Sequence, residues 1–295
     1  MSDERAAPPK TAHPEPPPGA AAGTPVQPRR RTVPAVRAAK RRDGAAPLVM
    51  VTAYDTPSAR IADAAGVDIV LVGDSVANNV LGYPDTLHVD VDDMVHHVAA
   101  VARARTEALV VGDLPWLSYH LDPATTVRNG AALVRAGAAA VKLEGGASRV
   151  PMVEALVGAE IPVMGHLGLT PQSVNAMGGY RVQGRTEEAA GALLADAVAL
   201  VEAGCFAVVL EGVPASVGAA VTAAVDVPTI GIGAGPDCDG QVLVFHDVVG
   251  FGGPRTPRFA RRYAQLDDIA ASALTSWADD VRGRRFPSPT ETYSA

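Results

Sequence analysis

Cysteine is nearly absent from this chain. Only Cys205 and Cys238 occur in 295 residues, so no disulfide framework supports the fold. No Cys pair stands at zinc spacing and no HExxH stretch occurs, which removes the common zinc sites. Aromatic residues make up only 4%, so the core must be built from Ala, Val and Leu. No apolar run is long enough to span a membrane, and the opening residues lack the apolar segment of a signal peptide. A transit peptide is disfavoured too, because Asp3, Glu4, Glu15 and many prolines oppose an amphipathic helix. These absences lead us to expect a soluble, cytoplasmic protein.

Positive charge is scarce outside the N-terminal region. The formal net charge is −7, and residues 1–45 hold nine Lys/Arg against four Asp/Glu, leaving −12 on the rest. An acidic body argues against a nucleic-acid surface. The runs Arg29-Arg30-Arg31 and Lys40-Arg41-Arg42 read as solvated charge. Residues 1–32 are Pro/Ala-rich with almost no large apolar side chains, and a disordered extension is expected there. Residues 33–295 then form a single domain.

From Pro47 onward, apolar runs alternate with helical patterns. Strands are expected near 47–53, 67–73, 108–112, 138–144, 161–166, 205–211, 227–232 and 241–246. Helices are expected near 57–65, 92–105, 123–136, 148–158, 187–203, 214–224 and 259–282. Continuous apolar runs mark parallel strands buried on both faces. This count and spacing suit a (β/α)8 TIM barrel, with a doubly wound open sheet as the alternative. The connection from Ser75 to Asp92 is longer than usual and is expected to cover a site.

Four of these strands end in an acid: Asp74, Asp113, Glu144 and Glu211. Parallel α/β folds keep their chemistry at those carboxyl ends. Clustered carboxylates repel unless a cation or protons neutralise them, and oxygen-only ligands favour a hard ion such as Mg²⁺. Asp74, Asp113 and Glu144 are the candidate metal ligands, with helix capping or pairing to Lys142 as the competing role. Lys142 and Glu144 share one face of their strand, so Lys142 either pairs with an acid or meets a substrate oxygen. Glu211, between Leu210 and Gly212, suits a general base or a capping carboxylate. His166 reads as a site wall or, more simply, a hydrogen-bonded core histidine. Gly231–Gly235 suits either a phosphate cradle or close backbone packing, although its spacing is not that of a Walker loop. His96-His97 reads as surface, and Arg255, Arg258, Arg261 and Arg262 as a solvated or subunit-facing set.

Several stretches resemble the ketopantoate hydroxymethyltransferase family. They are Val72-Gly73-Asp74-Ser75, Lys142-Leu143-Glu144-Gly145-Gly146, Gly165-His166-Leu167-Gly168-Leu169-Thr170-Pro171-Gln172-Ser173, Gly178-Gly179-Tyr180-Arg181-Val182-Gln183-Gly184, Gly231-Ile232-Gly233-Ala234-Gly235 and Pro257-Arg258-Phe259-Ala260-Arg261-Arg262-Tyr263. The resemblance runs in order from about residue 33 to 287. It implies a (β/α)8 barrel, one Mg²⁺ per subunit and a homodecamer. It also implies transfer of a one-carbon unit from 5,10-methylenetetrahydrofolate to 3-methyl-2-oxobutanoate, through a metal-stabilised enolate, to give 2-dehydropantoate in pantothenate synthesis. By position, Asp74, Asp113 and Glu144 match its metal site. Asp74, Ser75, Asp113 and Lys142 match its oxoacid contacts, and Glu211 matches its proton acceptor. The long N-terminus and the loop Ala77-Asn78-Asn79-Val80-Leu81 depart from the family pattern.

Overall fold

Val-, Ile- and Leu-rich runs form the strands, as β-branched side chains favour. The computed structural model describes residues 31–40, 46–253 and 257–294. The strands are β1 Leu48–Thr52, β2 Ile69–Val72, β3 Leu109–Asp113, β4 Ala140–Glu144, β5 Val163–Gly168, β6 Ala207–Glu211, β7 Thr229–Ile232 and β8 Gly240–Leu243. Each pairs in parallel with the next, and β8 returns to β1 to close the barrel. The helices are α1 Val33–Ala38, α2 Thr56–Ala64, α3 Val76–Asn79, α4 Val91–Ala102, α5 Pro123–Ala136, α6 Val150–Gly158, α7 Val174–Met177, α8 Glu187–Glu202, α9 Ala215–Ala224, α10 Phe245–Val249 and α11 Leu266–Arg282. The expected caps are in place: Asp122 accepts from the Thr125 N–H at the start of α5, and Thr186 from the Ala189 N–H at the start of α8.

Strand alternation sorts the core into two shells. Val70, Val110, Val141, Leu143, Val163, Val208 and Leu210 point outward and pack under the helices. Leu48, Met50, Ile69, Leu109, Val111, Ala140, Met164, Ala207, Val209 and Ile230 point inward and fill the barrel. The same inward parity, continued to the carboxyl ends, carries Asp113, Lys142, Glu144, His166 and Glu211. The interior is therefore apolar below and ionisable above.

Four sequence expectations need correction. First, Arg31 and Lys40 are not free solvated charges but have fixed partners. The Arg31 N–H donates to the Glu107 carbonyl at 2.7 Å, and its guanidinium pairs with Asp68. Lys40 Nζ donates to the Thr222 carbonyl at 2.6 Å and to Asp239 Oδ2 at 2.9 Å. Between them α1, capped by Thr32, sets Val36 beneath the apolar barrel interior, with that side chain buried. Residues 1–30 of the proposed extension, together with Arg41 and Arg42, lie outside the described residues. Second, β8 ends at Leu243, and His246-Asp247 belongs to α10 rather than to a strand. Third, the last helix starts at Leu266, not near 259. Fourth, His97 is half-buried, with its Nδ1 2.7 Å from the Tyr54 carbonyl, whereas His96 is exposed.

The glycines after β7 serve packing. No helix separates β7 from β8 among the described residues, so no helix N-terminus faces a phosphate there. Gly233, at φ 62°, lets Phe259 sit directly on the loop: an added Cβ would lie 3.1 Å from the Phe259 Cβ. Among the described residues no helix is long and apolar enough to cross a membrane.

Candidate active site

Barrel register decides which side chains meet. Asp113 of β3 lies beside Lys142 of β4, Glu144 of β4 beside His166 of β5, and Gly168 of β5 beside Glu211 of β6. Asp74 follows the end of β2, and its N–H donates to Asp113 Oδ2 at 3.2 Å. Asp74, Asp113, Lys142, Glu144 and His166 are each at most 4% exposed. With Ser75 and the half-buried Glu211, they line one cavity of about 550 Å³ at the carboxyl end of the barrel. All the sequence-derived site residues thus share a single chamber.

The charges in this chamber are tightly coupled. Lys142 Nζ lies 2.8 Å from Asp113 Oδ1 and 3.6 Å from Glu144 Oε1. Burial opposes its charge, but Asp113, Glu144 and Asp74 together hold its pKa above the ordinary lysine value. Burial, then Asp113 and Glu144, push Asp74 well above the usual carboxylate range, against the pull of Lys142 and Gln172. Asp113 is raised chiefly by burial, with Lys142 opposing and Glu144 adding to the shift. Glu144 goes the other way: Lys142 and His166 outweigh burial and lower its pKa.

His166 is the core histidine the sequence suggested and a site wall as well. Its Nδ1 lies 3.2 Å from Glu144 Oε1, and its Nε2 lies 3.2 Å from Glu211 Oε2. The second contact is within ion-pair range but is not aligned as a hydrogen bond. Burial and Lys142 work against protonation, yet the two glutamates raise the His166 pKa to about 9. His166 thus stands between Glu144 and Glu211, and Lys142 Nζ also lies 3.2 Å from its Nδ1.

Two residues that sequence reasoning gave no role brace this set. Gln172 Nε2 donates to Asp74 Oδ2 at 2.9 Å and to the Leu114 carbonyl at 3.0 Å. The Gln172 backbone N–H donates to Glu144 Oε2 at 3.0 Å. The Tyr119 hydroxyl accepts from the Glu144 N–H at 3.1 Å and donates to Gln172 Oε1 at 2.6 Å. That chain of donors fixes which end of the amide faces Asp74. Gln172 belongs to the stretch Gly165–Ser173, but an uncharged loop residue gives no chemical signal until its partners are known. Ser75 is held in turn by the Tyr54 hydroxyl, 2.9 Å from its Oγ.

The donor set fits a hard divalent cation in part. Asp74 and Asp113 are adjacent, buried and mutually repelling, and a cation would relieve that repulsion. Among the described residues no three His, Cys, Asp or Glu side chains are gathered as a ready-made cage. Both Glu144 oxygens are engaged, by His166 and the Gln172 N–H. One or two carboxylates completed by water and substrate is the usual Mg²⁺ arrangement. Of the arginine set, Arg258 and Arg261 are exposed, Arg262 donates to the Gly253 carbonyl, and Arg255 lies outside the described residues.

Comparison with known proteins agrees with this picture. A family model described as ketopantoate hydroxymethyltransferase matches residues 30–289. A "3-methyl-2-oxobutanoate hydroxymethyltransferase" of Methylobacterium sp. (strain 4-46) is 56% identical over 84% of this chain and 86% of its own length. The protein of the same name from Moorella thermoacetica is 53% identical over 90% of this chain and 98% of its own. Among solved structures, phosphoenolpyruvate phosphomutase from Streptomyces platensis subsp. rosaceus superposes with a TM-score of 0.55 at 14% identity, covering 86% of this chain and 88% of that one. At that identity the likeness speaks for the fold alone.

Proposed function

The chain belongs to the ketopantoate hydroxymethyltransferase family, and on that premise we propose that it transfers a hydroxymethyl group from 5,10-methylenetetrahydrofolate to 3-methyl-2-oxobutanoate, giving 2-dehydropantoate for pantothenate synthesis. The observation that carries this reading is the single chamber holding Asp74, Asp113, Lys142, Glu144, His166 and Glu211. A 2-oxoacid needs cationic groups for its oxygens and a base near its C3. The chamber offers both.

Asp74 and Asp113, with Glu144 beside them, would hold the Mg²⁺. When bound there, the ion supplies Lewis-acid polarisation of the oxoacid carbonyl. Lys142, the one ammonium among these acids, and Ser75 orient the oxoacid oxygens. Glu211 takes the C3 proton, and His166, whose Nε2 lies 3.2 Å from Glu211 Oε2, positions its carboxylate. The carbon left electron-rich attacks the one-carbon unit of the donor; the bonds from that unit to the folate nitrogens break, water supplies the hydroxyl oxygen, and tetrahydrofolate leaves with the nitrogens reprotonated. The same reading makes the protein a cytoplasmic homodecamer. The apolar face of α11, where Ile269, Leu274 and Trp277 are exposed, supports homo-oligomerisation.

Deuterium exchange at C3 of 3-methyl-2-oxobutanoate, with and without Mg²⁺, tests the chemistry without the donor. Glu211→Gln is expected to slow exchange about 10²- to 10⁴-fold while oxoacid affinity is kept. Unchanged exchange in that variant removes Glu211 as the base. Turnover with the folate donor then distinguishes this enzyme from a lyase on the same barrel.

A further inference from the structure

Among the described residues, Asp247 is the one acid of the chamber that the proposed chemistry leaves idle. It lies on α10, just beyond β8, and lines the same cavity as Asp74 and Glu211. It is half-buried and, among the described residues, accepts no hydrogen bond. Burial raises its pKa, with only Arg262 pulling the other way. A half-buried carboxylate at the mouth of a cavity, with no hydrogen bond from the described residues, has acceptor positions to offer a ligand.

The size of the cavity says where that ligand sits. The oxoacid has eight non-hydrogen atoms, and at roughly the 30 Å³ a water takes in the liquid they fill at most about 240 Å³. The cavity holds about 550 Å³, so more than half remains for a second reactant. The deeply buried ionisable groups form its floor. Its rim is of another kind, with Tyr180 55% exposed and Phe259 40% exposed. Two aromatic faces and a carboxylate with free acceptor positions suit a flat heteroaromatic ring that carries adjacent N–H donors.

Resting on the function proposed above, the geometry points to Asp247 as the residue that reads the pterin ring of the one-carbon donor. Its two carboxylate oxygens accept the parallel N–H donors of the 2-amino-4-oxopyrimidine edge, a bidentate match like that of a carboxylate with a guanidinium. Tyr180 and Phe259 cover the ring faces. The pairing specifies an aminopyrimidine donor and leaves the oxoacid floor to the other acids.

The test is calorimetric binding of tetrahydrofolate to the full-length protein, with steady-state kinetics alongside. Asp247→Asn keeps the size of the side chain but replaces one acceptor with a donor. It is expected to weaken tetrahydrofolate binding about tenfold to a hundredfold and to raise KM for the donor in step, with oxoacid affinity and Tm held as controls. Tyr180→Ala, which removes one ring face and no charge, is expected to weaken the same binding about tenfold. Undiminished tetrahydrofolate affinity in Asp247→Asn overturns the assignment. A fall in kcat at unchanged donor affinity also overturns it, because that marks a proton-transfer role. If the wild-type protein itself fails to bind or use the folate, the donor reading falls and this assignment with it.

Discussion

Asp239 at the amino end of the barrel and Asp74 at its carboxyl end are both almost fully buried, at 1% and 4% exposure. Their surroundings differ. Asp239 Oδ2 receives Lys40 Nζ at 2.9 Å, the Thr229 N–H at 2.8 Å and the Thr229 hydroxyl at 3.1 Å. Asp74 receives one side-chain amide and faces two more acids, and burial first, then those acids, push its carboxyl up. Asp68 repeats the lower pattern, accepting the Val49 N–H at 2.9 Å and pairing with Arg31. Burial of an acid is thus no mark of function by itself. What distinguishes the upper end is like charge left unrelieved, and such sites are where proteins keep binding and catalysis.

The contrast yields opposite signs for one substitution. Asp239→Asn should destabilise the protein by about 3 kcal/mol, because it leaves Lys40 facing a neutral partner in a largely buried pair. Chemical denaturation at neutral pH measures this; a change near zero would mean the lower acids are as dispensable to the fold as surface ones. Asp74→Asn should instead raise the stability of the metal-free protein by about 1 kcal/mol while lowering Mg²⁺ affinity and turnover. A loss of stability there would erase the distinction between the two ends.

The smallest expected effect concerns His166. Its pKa rises from 6.5 to about 9 in the folded chain, so the folded state binds the proton more tightly. That contribution is fully present below pH 6.5 and is lost as the pH climbs through about 9. The melting midpoint of metal-free wild type should therefore fall over that window more than that of His166→Gln. Parallel pH profiles would show that proton binding at His166, between Glu144 and Glu211, adds nothing to the fold.

The same contrast explains what the sequence made legible. Apolar runs ending in Asp74, Asp113, Glu144 and Glu211 announce both the strands and the upper acids, since few other arrangements tolerate an acid after such a run. Strand parity then extends to Lys142 and His166. The lower end was opaque because Arg31 and Lys40 sit in basic runs that look solvated, and their partners lie far along the chain: Asp239 is 199 residues from Lys40. Val36 alone could not reveal that α1 caps the barrel. Tyr119 and Gln172 were equally silent, because neutral side chains acquire meaning only from what they touch. The end of β8 is hidden in the sequence because Val244, Phe245 and Val248 continue the apolar run into α10.

Closure of the lower end has a kinetic consequence. The floor beneath the acids is packed side chain, and α1 lies below it, so traffic to the chamber passes through the upper rim. On the assignments above, the small oxoacid rests on the floor and the bulky folate lies over it. The oxoacid must then arrive first, and the lengthened keto acid must wait until the spent carrier has departed. With both substrates so placed, a one-mouthed vessel of this kind would impose compulsory-order turnover through its shape alone.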